Sequence, residues 1–195
     1  MKRKDTIVKS ATALFAIQGF EATTTLEIAN KSKVTEPLIY YHFGGKDELF
    51  THILDEAFSN YFKRLYGLPQ TTSTEIEKIS NLFKMHFQIA DDLPEMMRLI
   101  LNSCPAKVQD PKSSCRKNYQ KARQYLFDYF TGCLVRGIET GEFWDLPVDG
   151  TANMLVALTN GLLRQRIFHL ADTDGVQEAT MDFCRMSLTM SGAIQ

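Results

Sequence analysis

Apolar side chains recur every three to four residues along nearly the whole chain, and no stretch sustains the alternation of a strand, so the pattern predicts an all-α protein. The first helix is expected from Asp5 to about Gln18, with Ile7, Ala11, Leu14 and Phe15 on one face; Gly19 is placed to end it in a left-handed conformation, and Phe20 to turn back into the core. Thr24-Thr25-Leu26-Glu27 has the form of a capping box, with Thr24 as N-cap and Leu26, Ile28 and Ala29 as the apolar contacts of a short helix. Thr35 is the next N-cap. Glu36-Pro37 follow, proline being tolerated because first-turn amides have no intrahelical partner, and the helix runs to about His42. Gly44-Gly45 breaks the chain. Longer helices are expected near 46–67, 73–91, 94–103, 114–141, 149–169 and 175–190, about nine in all. Loops fall at 104–113, at Gly141–Pro147, where Phe143 and Trp144 are expected to anchor the connection, and at Asp172–Gly175.

Composition narrows the class. Of 195 residues, 44% are hydrophobic and 23% charged, as in an ordinary globular protein. The net charge of -1 does not by itself announce nucleic acid. The sharpest asymmetry is at the start, where Lys2, Arg3, Lys4 and Lys9 face only Asp5. No apolar h-region follows this basic start and no run is long enough to span a bilayer, so a cytoplasmic protein without membrane contact is expected. Cys104, Cys115, Cys133 and Cys184 lack metal-ligand spacing and read as reduced residues in or near the core. Glu48 and His52 share a helical face but have no third ligand, and no phosphate-cradling glycine loop or nucleophile elbow occurs. Neither a metal, a cofactor nor catalysis is expected.

Two short helices joined by a tight turn and braced by a preceding helix make a unit suited to the DNA major groove. The second of them should enter the groove. Thr35 and Glu36 lie at its N-terminal end, Lys33 in the turn before it, and Tyr40, Tyr41 and His42 one turn later; Lys46 is a further phosphate candidate. A cation at that helix start is electrostatically disfavoured unless something negative faces it. The alternatives are half-buried packing for the tyrosines, a helix-end role for His42 and simple solvation for Lys46.

Residues 11–50 resemble the DNA-binding domain of the TetR family of transcriptional regulators. The matching elements are Gly19-Phe20-Glu21-Ala22-Thr23-Thr24, Ile28-Ala29, Val34-Thr35, Ile39-Tyr40-Tyr41-His42-Phe43 and Lys46-Asp47-Glu48-Leu49-Phe50. The resemblance implies that Thr35 and Tyr40 touch backbone or bases, that Tyr41 and His42 lie on or beside the DNA face, and that Lys46 grips a phosphate. Three positions depart from the family pattern: Lys33 and Pro37 stand where glycine is usual, and Leu38 where a hydroxylated residue is common. The implied organisation is a three-helix DNA-binding domain over 1–48 and a larger helical effector-binding and dimerisation domain over 49–195.

The same resemblance implies that the larger domain takes a small molecule. Phe83, Phe87, Gln88, Met96, Met97, Ile100, Tyr125, Tyr129 and Trp144 are the candidate effector contacts, with Asn102 and Arg98 as further polar anchors. Apolar residues at helical spacing serve equally well as plain core. Two stripes near the end, Met154, Leu158, Gly161, Leu162 and Gln165, then Ala179, Phe183, Met186 and Met190, suit a four-helix interface between two copies. The expected protein is a ligand-responsive regulator, a repressor by family precedent. It binds a palindromic operator in double-stranded DNA as a homodimer and is released by a hydrophobic or amphipathic effector. Its rivals are a DNA-binding protein without effector, and an enzyme or protein-interaction module on the same scaffold.

Overall fold

A computed structural model of the chain describes residues 3–69, 74–102, 113–170 and 175–189. Among these residues there are nine helices: α1 (Arg3–Ala22), α2 (Thr25–Ser32), α3 (Glu36–Phe43), α4 (Lys46–Tyr66), α5 (Glu75–Asp92), α6 (Pro94–Leu101), α7 (Ser114–Glu139), α8 (Val148–Phe168) and α9 (Val176–Leu188). Extended pairing among them is confined to one isolated antiparallel bridge, Phe143 with Thr189. The all-α expectation is met. Lys2, Cys104, Met190 and most of the 104–113 and 172–175 loops lie outside the described residues.

Packing divides the chain into two compact units, Met1–Tyr61 with Leu93–Tyr119, and Phe62–Asp92 with Gln120–Gln195. In the first, α1 packs on α2 and α6, and α2 on α3. Its core is Ile7, Ala11, Phe15, Ile28, Ile39, Leu49 and Phe50. Phe15, Phe20 and Phe50 form one aromatic cluster with ring centroids 4.8–5.8 Å apart, so Phe20 does turn inward. Gly19 takes φ 81° but ψ 172°, an extended conformation open only to glycine, after which a last helical turn resumes through Ala22. The left-handed end expected there is thereby corrected to a kink. Leu26, expected in the core, is exposed.

In the second unit α5 is the central element and packs against α8 and α9. It is held at both ends. At its start, the Glu142 carboxylate accepts from the Glu75 and Ile76 amides, both at 2.8 Å, supplying negative charge where the helix dipole favours it. At its end, Asp91 and Asp92 stand where the dipole disfavours them, and arginines compensate: Arg166 donates to both oxygens of Asp91 at 2.6 and 2.7 Å, and Arg64 to Asp92 at 2.8 Å. Glu75 is nearly buried. Burial alone would raise its pKa, but Arg136 at 3.1 and 3.2 Å and Lys78 at 2.5 Å hold it below the ordinary carboxylate value. Burial, together with this carboxylate, pushes the Cys133 thiol up to about 12, and burial pushes Cys184 up to about 11. Both are core thiols held in the protonated form, and Cys115 is buried as well.

The connection between α7 and α8 is anchored by Phe143, which is buried against Gly137, its amide donating to the Gly137 carbonyl at 2.9 Å. Trp144, the other anchor the sequence predicts for this connection, is 38% exposed, and its amide donates to Leu188 O at 3.1 Å.

Candidate DNA-binding site

The local chemistry of residues 19–46 builds a rigid helix-turn-helix. Thr24 accepts from the Glu27 amide at 3.2 Å, and the Glu27 carboxylate accepts from the Thr24 amide at 2.8 Å. The capping box is therefore complete, and these bonds lower the Glu27 pKa. Helix α2 stops at Lys33, which adopts the left-handed conformation (φ 55°, ψ 43°); Lys33 N–H reaches Asn30 O at 3.1 Å and Val34 N–H reaches Ala29 O at 3.0 Å. This explains why glycine suits the position, and lysine occupies it at a conformational cost of about 1 kcal/mol. Helix α3 is capped at its end by Gly44 (φ 88°), whose amide donates to Tyr40 O at 2.8 Å.

Across the turn, the Thr25 hydroxyl donates to the Glu36 carboxylate, a side-chain tie between α2 and α3 that no local sequence signal announces. Glu36 is thus engaged in fixing the angle between the two helices. Thr35 is the N-cap of α3 but makes no side-chain capping bond, and the residue is exposed. Tyr40 and Tyr41 are 51% and 82% exposed, a high figure for aromatic residues on a helix of eight. Tyr40 lies beside Gly45. His42 is half-buried, its ring 5.1 Å from that of Tyr41. Lys33 is exposed beside this face.

Lys46 has the partner that a cation at a helix start requires. Its Nζ donates to the Phe20 carbonyl at 3.1 Å and sits 4.3 Å from the centre of the Phe20 ring. Lys4, from the basic start of the chain, lies 5.3 Å over the Phe43 ring. Lys33, Thr35, Tyr40 and Tyr41 are therefore all exposed on α3 and the turn before it, while Glu36 and Lys46 are engaged in holding the unit together. Tyrosine hydroxyls, a threonine hydroxyl and an ammonium are donors suited to phosphate oxygens and base edges.

The candidate effector residues are not gathered in one unit. Met96, Met97 and Ile100 belong to the first, the remainder to the second. Phe83, Phe87, Met97 and Ile100 are core residues, Phe83 packing 6.0 Å from Phe130. Tyr125 lies between Tyr66 at 5.1 Å and Tyr129 at 6.3 Å in a half-buried aromatic row, and Tyr129 donates to Lys78 O at 3.1 Å. Burial raises the pKa of both tyrosines, so they remain neutral donors. Gln88 lines an open groove of about 430 Å³ with Arg64, Leu68 and Lys84. Among the described residues no group of three or more His, Cys, Asp or Glu side chains could hold a metal, and no helix is long and apolar enough to cross a membrane.

A trihelical head with a fixed turn and an exposed, donor-rich second helix defines a helix-turn-helix protein. Residues 7–53 match the model of the bacterial regulatory proteins of the tetR family. This stretch is a helix-turn-helix domain of the TetR family of transcriptional regulators. Among its relatives is the transcriptional repressor KstR2 of Mycobacterium tuberculosis, 25% identical over 148 residues that cover 75% of this chain and 72% of the relative. The ketosteroid regulator KstR2 structure from that organism superposes with a TM-score of 0.78 at 22% identity, covering 96% of this chain and 95% of the other. A transcriptional regulator from Saccharomonospora viridis, solved in complex with choline, gives 0.80 at 21% identity and 95% and 97% coverage. Bacillus subtilis FadR, solved with stearoyl-CoA, gives 0.70 at 16% identity and 98% and 100% coverage.

Proposed function

We propose that the protein is a ligand-responsive repressor that binds a palindromic operator as a homodimer. The observation that carries the reading is the exposure of Lys33, Thr35, Tyr40 and Tyr41 on α3 and on the turn before it, with α3 tied to α2 through Thr25 and Glu36. Exposed aromatic residues at this density are costly on a free surface and suit one that meets DNA. The repressor sense follows the relative KstR2.

Dimerisation is supported by the last two helices. Met154, Gly161 and Gln165 on α8 and Ala179, Phe183 and Met186 on α9 are exposed, Phe183 at 49% and Met186 at 63%, while Leu158 and Leu162 are half-buried. The opposite faces, Leu155, Thr159, Leu163, Met181 and Cys184, are buried. Two copies joined through these faces make a four-helix bundle, and Gly161, with open space around it, admits a close crossing. A two-fold dimer reads a two-fold site.

An effector enters by analogy. The neighbours hold ligands as different as choline and stearoyl-CoA, so the shared fold supports a regulated protein without selecting the chemistry. Helix α4 continues from the reading unit into the second unit, and an effector acting through it must favour the state that does not bind DNA. The test is selection from a random DNA pool followed by fluorescence anisotropy at stated salt. An enriched palindrome bound by two chains is expected, with Tyr40→Ala and Thr35→Ala each weakening it at least 10-fold. Weak, salt-sensitive binding with no enriched site would leave only charge attraction and overturn sequence-specific reading.

A further inference from the structure

Ser80, Asn81 and Lys84 stand three, four and seven residues after Glu77 on α5, a spacing that puts all four side chains on one face of the helix. They line a groove of about 420 Å³ whose far wall is Arg185 of α9, the helix that packs on α5 within the same unit. The volume is within the range of small-molecule sites. Ser80 is 5% exposed, and its hydroxyl bonds to no described residue. Buried hydroxyls inside a helix commonly donate to the carbonyl four residues back, as Thr159 and Thr180 do at 2.8 and 2.7 Å. Ser80 does not, so a buried donor lines the groove without a partner. Half-buried Asn81 and exposed Lys84 likewise bond to no described residue. We propose that this groove binds a phosphate monoester of a sugar, its phosphate on Ser80, Asn81 and Lys84.

The donor set selects the ligand. A hydroxyl, an amide and an ammonium on adjacent turns meet the three terminal oxygens of a phosphate monoester, which carries a charge of about -1.5 to -2 at neutral pH. A carboxylate has only two oxygens in one plane and is matched less well. Glu77 fixes the direction. It lies two turns before Lys84, about 10 Å along the helix axis, and repels a phosphate from that end. The esterified part therefore runs from Lys84 toward Thr74 and Ile76, which complete the lining. Arg185 is paired with Asp182 at 3.4 Å and acts as a wall, not as the anchor. Asn81 and Lys84 also line the adjoining groove of Arg64 and Gln88, whereas Ser80 belongs to this one alone of the two, so Ser80 distinguishes them.

The probe is glucose 6-phosphate, titrated into the full chain by calorimetry in the absence of DNA, so that the result stands apart from operator recognition. One saturable site with a Kd of about 0.1–1 mM is expected for a ligand of this size. Ser80→Ala should weaken it about 10-fold and Lys84→Gln about 10- to 100-fold, the range of hydrogen bonds to a charged group. Inorganic phosphate should bind about 10-fold more weakly than the ester, and glucose should show no saturable binding. Lys121→Gln removes an exposed lysine that lies over the Phe62 and Tyr66 rings and should change nothing. Three results overturn the site: no saturable binding up to about 5 mM, equal affinity for phosphate and the ester, or equal losses from Lys84→Gln and Lys121→Gln. Weakening by Gln88→Ala without weakening by Ser80→Ala places the anion in the adjoining groove and overturns it as well. Should a variant fail to fold by circular dichroism, amide shifts of the nitrogen-15-labelled wild-type protein decide. Changes centred on 77–84 support the site, and changes centred elsewhere overturn it.

Discussion

Gly137→Ala is expected to destabilise the protein, against the usual direction for a glycine inside a helix. Gly137 lies within α7, where replacing glycine by alanine ordinarily gains about 1 kcal/mol. Here the added Cβ would lie 2.1 Å from Phe143 Cδ2 and 2.5 Å from Cε2, distances that no carbon pair tolerates. Phe143 is 2% exposed, and its ring is the buried anchor of the α7–α8 connection, so it must leave its site rather than shift by tenths of an ångström. Displacing a buried phenylalanine costs about 3–5 kcal/mol, so the net loss is about 2–4 kcal/mol. Urea unfolding followed by far-ultraviolet circular dichroism measures it. The companion experiment is the double variant: in a Phe143→Ala background the clash is gone, and Gly137→Ala should become neutral or stabilising by up to about 1 kcal/mol. Gly137→Ala as stable as wild type, or equally harmful with and without the Phe143 ring, would refute the reasoning.

Three further outcomes follow from the same structure. His86 is fully buried, its Nδ1 2.8 Å from Leu82 O, and burial lowers its pKa from 6.5 to about 4. The unfolded chain therefore binds the extra proton first, and stability present above pH 6.5 falls by about 3 kcal/mol as pH drops through 4; urea midpoints between pH 7 and 5 should be flatter in His86→Gln, and an unchanged slope would count against it. Lys33→Gly should relieve the left-handed strain and raise stability by up to about 1 kcal/mol while reducing the salt dependence of operator binding by about one phosphate contact; a variant both less stable and unchanged in salt slope contradicts both roles of Lys33. Phe183→Glu combined with Met186→Glu should convert the proposed homodimer to monomers in sedimentation velocity with helical content intact, and a persistent dimer would place the interface elsewhere.

Much of the helical frame was legible because caps and stops are short-range chemistry. The Thr24–Glu27 box, the proline after Thr35, Gly44, and the Leu93–Pro94 junction act within four residues of themselves, so their neighbours in sequence are their neighbours in space. The same holds for the helix-turn-helix itself, whose family motif is one contiguous stretch. Periodicity also marked the stripes of α8 and α9, and there the tertiary structure decided which side each faces: Met154 and Met186 point to solvent, Leu155 and Met181 inward. What the sequence could not determine is set by partners far along the chain. Lys46 is answered by Phe20, 26 residues earlier; the start of α5 by Glu142, 67 residues later; Asp91 by Arg166, 75 residues later. Nothing local distinguishes Phe143, buried, from Trp144, exposed beside it, or a core Phe83 from a ligand contact. A helical repeat specifies that a side chain faces apolar surroundings, whereas the atoms that fill those surroundings, and the space they leave empty, are settled only when helices from distant parts of the chain pack together.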